Sequence, residues 1–162
     1  MELEDQKKYQ IRIATPRDAL PIVDLALRVK GVLHFPPAQL EWLLKQENSD
    51  FRTLLCFEAS GNIEIKGFLI AKKKLHQIEI LEIYSESGHA RKIYGSMLDS
   101  LGEFAKKELL EGITQLTPGG EGDLQESFLD QGFYRAKIID GYYIDGKSAE
   151  LWVKQIQPVK TT

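Results

Sequence analysis

Residues 76–117 constrain the fold of this chain more than any other stretch. The run "HQIEILEIYS" (76–85) is dense in β-branched and aliphatic residues and reads as a strand. After it Ile93, Met97, Leu98, Leu101, Phe104, Ala105 and Leu109 recur at helical spacing. That predicts a helix over 91–111, about four to five turns long, with Gly112 as its stop. "ITQLT" (113–117) then reads as a second strand. A strand, a long helix and a strand in succession form a crossover unit, in which the two strands lie parallel. A sheet with a helix packed across it follows.

The flanking segments extend that sheet. "QIRIAT" (10–15) alternates apolar and polar residues and predicts a short strand. Thr15, Pro16 and Asp18 have the spacing of a helix start, and Ile22, Leu25, Ala26 and Val29 share one face of the helix that follows. Pro21 is tolerable there only within the first turn or so. A second helix is expected in "PPAQLEWLLKQE", with Leu40, Leu43 and Leu44 as its stripe. "RTLLCFEAS" and "IEIKGFLIAKK" flank "SGN" (60–62) and predict a hairpin. Beyond "PGGEG", Asp123 starts a short helix that Gly132 ends, and "FYRAKII" and "AELWVKQI" make a closing pair of strands. The order β-α-α-β-β-β-α-β-α-β-β predicts an α+β (mixed α/β) fold. We expect a central mixed sheet of about six to seven strands flanked by about four helices.

The 162 residues suit a single domain, with a core over about 10–156 and loose termini. A net charge of −3 supplies no general basic field, so neither nucleic acid nor an anionic membrane is an expected partner. The single cysteine, Cys56, has no disulfide partner, and His34, His76 and His89 lack ligand spacing, so no metal site is expected. The start, "MELEDQKKYQ", is polar rather than signal-like, and the expected location is the cytoplasm.

Several of these words resemble the GNAT superfamily of acyl-coenzyme A-dependent N-acyltransferases. "KGFLIAKK" (66–73) is similar to that family's third strand. "EILEIYSESGHARKIYGSMLDSLGEFAKK" resembles its central strand, pyrophosphate loop and following helix. "ESFLDQGF" (126–133) resembles its short helix ending in Gly-Phe. "GYYIDGKSAELWVKQ" is similar to the closing hairpin of ribosomal-protein and other protein N-terminal acetyltransferases. The resemblance spans about 10–156. It departs from the family at Ala90, where Gln or Arg is usual, at Ile93, where the loop's first Gly belongs, and at Phe128, where a tyrosine often protonates the departing thiolate.

The resemblance implies acetyl-coenzyme A as co-substrate, and a small amine or a peptide N-terminus as acceptor, in a monomer or homodimer. Its pyrophosphate would lie at Arg91, Lys92, Ile93, Tyr94, Gly95 and Ser96, with amides of Tyr94, Gly95 and Ser96 as donors. The pantetheine arm would follow the strand edge at Ile83 and Tyr84 and pass Phe128. A carboxylate on the central strand would take the amine's proton. Glu82 is favoured over Glu79, and their odd separation puts the two on opposite faces of a regular strand. With Phe128 unable to donate, the thiolate's proton falls to Tyr142, Tyr143, Tyr134, Tyr84 or water. The four departures from the family pattern (the loop's Gln/Arg and first Gly, an Asn of the short helix, and the Tyr) also fit a binding or regulatory module on the same fold.

Overall fold

The computed structural model describes residues 9–30, 36–45, 50–58, 64–118 and 122–156. Its strands are β1 (Tyr9–Ile13), β2 (Phe51–Glu58), β3 (Gly67–Lys74), β4 (Gln77–Ser85), β5 (Gly112–Pro118), β6 (Tyr134–Ile139) and β7 (Ala149–Gln155). They form one seven-stranded sheet in the order β1-β2-β3-β4-β5-β7-β6. The helices are α1 (Ala19–Lys30), α2 (Pro37–Leu44), α3 (Ala90–Lys107) and α4 (Gly122–Asp130). As expected, β4 and β5 pair parallel through the α3 crossover, and the other neighbours pair antiparallel. The "SGN" turn and most of "PGGEG" lie outside the described residues.

Local chemistry accounts for the element ends. The start expected at Pro16 is a 3-10 turn, Pro16–Asp18, and α1 proper begins at Ala19. Asp18 accepts the Thr15 N–H at 2.7 Å and both arms of Arg12 at 2.8 Å each, which holds its carboxyl below the usual range. Pro21 thus falls in the first turn of α1, where no intrahelical donor is needed. At the other end of the crossover, the expected stop at Gly112 is corrected. Helix α3 ends at Lys107, and Leu109 makes the reversal at φ 58 while Leu110 N–H returns to Ala105 O at 2.9 Å. Gly112 instead opens β5, where an added Cβ would lie 3.1 Å from Lys154 O. Gly132 does end α4, at φ 85, with Phe133 N–H reaching Phe128 O at 2.8 Å.

Each face of the sheet carries its own core. On one, Ile78, Ile80 and Ile83 meet Ile93, Met97, Leu101 and Phe128 from α3 and α4. On the other, Leu55, Phe68, Ile70 and Tyr84 meet Ile22, Leu25 and Leu40 from α1 and α2. A side chain of this size gains about 1.5–3 kcal/mol by full burial, so the two cores dominate the stability of the sheet.

One irregularity decides what β4 presents. Ile70 of β3 lies opposite Glu82, but Ala71 lies opposite Ile80, so Leu81 is an extra residue in β4. The bulge reverses the alternation. Ile78 and Ile80 face α3 before it, and Ile83 faces α3 after it. Glu79 and Glu82 therefore share the α1/α2 face, which overturns the expectation that their odd spacing separates them.

Candidate functional site

The β4–β5 ladder runs only from Gln77–Gly112 to Glu79–Thr114. Beyond it β5 stays with β7, while β4 continues along β3 as far as Ser85. The two parallel strands thus part, and a cleft of about 490 Å³ opens past the end of β4, lined among others by Arg28, Ser85, Glu86, Tyr94, Asp123 and Leu124. Glu86 N–H is bonded to Lys66 O at 2.8 Å, towards β3. Backbone direction alternates along a strand, so Ile83 and Ser85 point their amides and carbonyls to the edge that β5 has left.

The first turn of α3 adjoins this cleft. Ile93 N–H already donates to His89 O at 3.0 Å, so the amides without an intrahelical acceptor precede it, those of Ala90 and Arg91 among them. The amides of Tyr94, Gly95 and Ser96 lie inside the helix and cannot serve as the anion donors that sequence suggested. Ser96 turns its hydroxyl to Lys92 O at 2.9 Å. Ile93 needs no unusual backbone conformation, because it is helical. Its side chain is buried against Gly67, where a Cβ would come within 2.6 Å of Ile93 Cγ2.

Arg91 is already engaged. Its Nε and one terminal nitrogen meet the two Asp130 oxygens at 2.7 and 2.9 Å, and its other terminal nitrogen meets Glu126 at 3.0 Å. The Asp130 carboxylate holds the guanidinium more firmly charged, and the pairing holds Asp130 below the usual carboxylate range. Ser127 Oγ lies 3.0 Å from Arg91 O, a further tie from α4 to the first turn of α3. Lys92 is exposed on that turn.

Of the expected carboxylates, only Glu82 belongs to the open half of β4. It is 4% exposed and stands near the Tyr84 phenol. Burial, then the neighbouring Glu82 carboxyl, raises the Tyr84 phenol above its ordinary value. Tyr84 packs edge-on to Phe68 at 5.1 Å, on the α1/α2 face. Glu79 lies in the closed half, bound to Lys74 at 2.9 Å. The structure does not bring it to the cleft.

Phe128 is likewise removed from any ligand path. It is fully buried, stacked on Trp152 at 5.2 Å and tilted against Phe133 at 4.9 Å. Ile83 has its side chain in the same core, leaving only its backbone to the edge. Tyr142 is half exposed on the loop after β6, against Tyr143 at 5.0 Å.

Sequence reasoning missed the side chain of Tyr94. It is 5% exposed and lines the cleft beside Ser85. Burial, with the Asp123 charge second, pushes its phenol up to about 12, while the Ser85 amide acts in the opposite direction. The signal was available, since Tyr94 falls one turn before Met97 and Leu98 on the buried stripe of α3. Among the described residues no group of three His, Cys, Asp or Glu side chains gathers as for a metal ion. Among them, too, no helix is long and apolar enough to cross a membrane.

No protein-family model matches the sequence, and no curated protein matches it. Solved structures do match its shape. The ribosomal-protein-S18-alanine N-acetyltransferase from Escherichia coli superimposes with a TM-score of 0.77 at 14% identity, over 96% of this chain and 98% of that one. A GNAT-family acetyltransferase from Streptococcus pneumoniae gives 0.75 at 19% identity, over 93% and 100%. The NatC complex bound to Gag peptide and CoA gives 0.73 at 17% identity, over 93% and 99%. The chain has the GNAT fold, as its sequence words implied.

Proposed function

We propose that this protein transfers an acetyl group from acetyl-coenzyme A to a primary amine, either a small molecule or a peptide N-terminus. The observation that carries the proposal is the parting of β4 from β5 beside the first turn of α3. It exposes a strand edge to which an amide-bearing pantetheine arm can add as a short substitute strand. The first-turn amides of α3 then face the pyrophosphate, favoured by the helix dipole. The amine nitrogen attacks the thioester carbonyl, the carbon–sulfur bond breaks, and the electron pair leaves on sulfur. Glu82 receives the amine's proton through water, since it is buried and is not among the residues lining the cleft. The Tyr84 phenol stands beside that carboxylate. Among similar folds, the Escherichia coli enzyme named for a ribosomal-protein alanine and the complex bound to peptide and CoA support a peptide acceptor.

A second reading, a binding or regulatory module without transfer activity, is favoured by Arg91, whose charge is matched by Asp130 and Glu126. Calorimetric titration with acetyl-coenzyme A at millimolar concentration tests both. Absence of binding ends the enzyme reading. Binding with no acetyl transfer to a broad panel of amines and peptides selects the module.

A further inference from the structure

A second cavity, of about 470 Å³, opens at the closed end of the sheet, where β1 parts from β2. Strand β1 ends with Ile13 opposite Leu54, and after one more bond, Ala14 N–H to Thr53 O at 2.9 Å, the chain enters the 3-10 turn. Among the described residues, Phe51 and Arg52 are left without a strand neighbour on that side. Around this edge both helix layers reach the same space, Leu43 and Leu44 from α2 and Phe104 from the last turn of α3. Phe51 is level with Lys72 and Glu79 in the sheet, whereas Ser85, at the transfer cleft, is level with Gly67 and Cys56. The step from Phe51 to Cys56 is about 17 Å along the strand. Among the described residues the two cavities have no lining residue in common.

The wall of this cavity holds an arginine without the partner that most of the others have. Arg12, Arg28, Arg91 and Arg135 each meet a carboxylate at 2.7 to 3.1 Å, and Arg17 is exposed. Arg52 is only partly exposed, and it has no carboxylate partner among the described residues. Its guanidinium lies over the Phe104 ring, 3.8 Å from the centroid, and its Nε is buried without a hydrogen-bond partner. Burial pulls the guanidinium below its ordinary pKa, and the Glu108 charge offsets this only in part. A charge withdrawn from water without a counter-charge costs free energy, which a bound anion would recover. Thr53, 4% exposed on the same wall, carries a hydroxyl that also lacks a partner. With the ring against one face of the guanidinium, the terminal N–H groups in its plane remain, and they match the two oxygens of a carboxylate. Lys45 and Arg52 against Glu108 leave the lining one positive charge in excess, which suits a monoanion better than a phosphate.

We infer that this cavity binds a small carboxylate with an apolar body, its oxygens on the Arg52 guanidinium and its body against Leu43, Leu44 and Phe51. The site is separate from the transfer cleft and stands whether or not the protein transfers acetyl groups. The probe is 4-fluorophenylacetate, and its uncharged amide, 4-fluorophenylacetamide, has nearly the same shape. Titrations followed by fluorine NMR should show the wild-type protein binding the carboxylate about tenfold or more tighter than the amide, the difference made by a hydrogen-bonded charge. Arg52→Gln should remove that preference and weaken the carboxylate by a similar factor, while Arg17→Gln changes neither. Fluorine-to-proton Overhauser contacts with the methyl groups of Leu43 or Leu44 place the ring in the wild type, so the inference does not depend on Arg52→Gln folding. No saturable binding of the carboxylate at millimolar concentration, equal affinity for the amide, undiminished binding in Arg52→Gln, or Overhauser contacts elsewhere overturns it.

Discussion

Up to Glu79, β4 has a hydrogen-bonded neighbour on each side, and its one carboxylate reaches the surface and pairs with Lys74. After the bulge at Leu81 only β3 remains, and Glu82, Tyr84 and Ser85 are all buried. The same strand thus keeps polar groups outside at its closed end and inside at its open end. Enclosing a carboxylate beneath a cleft does nothing for packing, and a hydrophobic residue of similar size would suit that core as well. The contrast sets the open half apart as the part of the strand on which the proposed transfer would depend.

The largest expected effect compares the two carboxylates directly. Glu82→Gln should lower acetyl transfer by about 10²-fold or more, the usual contribution of a positioned base, while Glu79→Gln leaves it unchanged. Steady-state rates on any amine that the wild type acetylates decide the matter. Equal losses in both variants would abolish the distinction between the ends.

Stability should show the reverse order. Ile78, fully buried in the closed half, should cost roughly 2–5 kcal/mol when replaced by Ala, because the cavity adds to the lost burial. The paired replacement Glu82→Leu with Tyr84→Phe removes the buried carboxyl and the neighbouring buried hydroxyl together. It should leave stability equal or higher, by up to roughly 4 kcal/mol, while transfer is lost. Denaturant midpoints measure both. A protein that unfolds readily after the double replacement would show that the Glu82–Tyr84 pair is structural.

A third effect is steric and smaller. Gly67 lies opposite Ser85, and a Cβ there would sit 2.6 Å from Ile93 Cγ2 and 2.9 Å from Tyr84 O. Gly67→Ala should cost about 1–3 kcal/mol, since Ile93 or the end of β4 must shift. The same variant should also weaken binding in the cleft. A thermal shift without any change in affinity would mean that this end of β4 moves independently of the cleft.

Most of this frame was legible in the sequence, and the exceptions share a cause. Periodicity and turn residues gave the crossover, both cores and the end of α4 at Gly132, because each depends on contacts within a few residues. The bulge at Leu81 has no such marker. It sits inside a strand-forming run, "QIEILEIYS", with neither Gly nor Pro, so counting alternate residues assigned Glu79 and Glu82 to opposite faces. The start of α3 was placed within one residue, at 91 against the observed Ala90, but the anion-donor amides were set about a turn too late, by likeness to a glycine pattern. Leu109 hid the helix end by adopting a left-handed conformation that glycine usually supplies. The pairing of Arg91 with Asp130 joins residues far apart in sequence, and nothing local announces it.

That pairing provides the mildest test, at the mouth of the open end. Arg91, Glu126 and Asp130 are all about half exposed, so their attraction is screened and each contact is weak. A pyrophosphate at the first turn of α3 would still compete with two carboxylates for one guanidinium. Removing a competitor should therefore tighten binding, whereas removing a merely structural contact should loosen it or do nothing. Asp130→Asn is expected to strengthen coenzyme A binding by about fivefold or less, an effect reduced by added salt. Arg91→Ala should weaken binding and, combined with Asp130→Asn, abolish the gain. Titration of the two single variants and the double variant measures the coupling. Weaker binding in Asp130→Asn would mean that the acidic pair holds α4 in place for the ligand instead of competing with it.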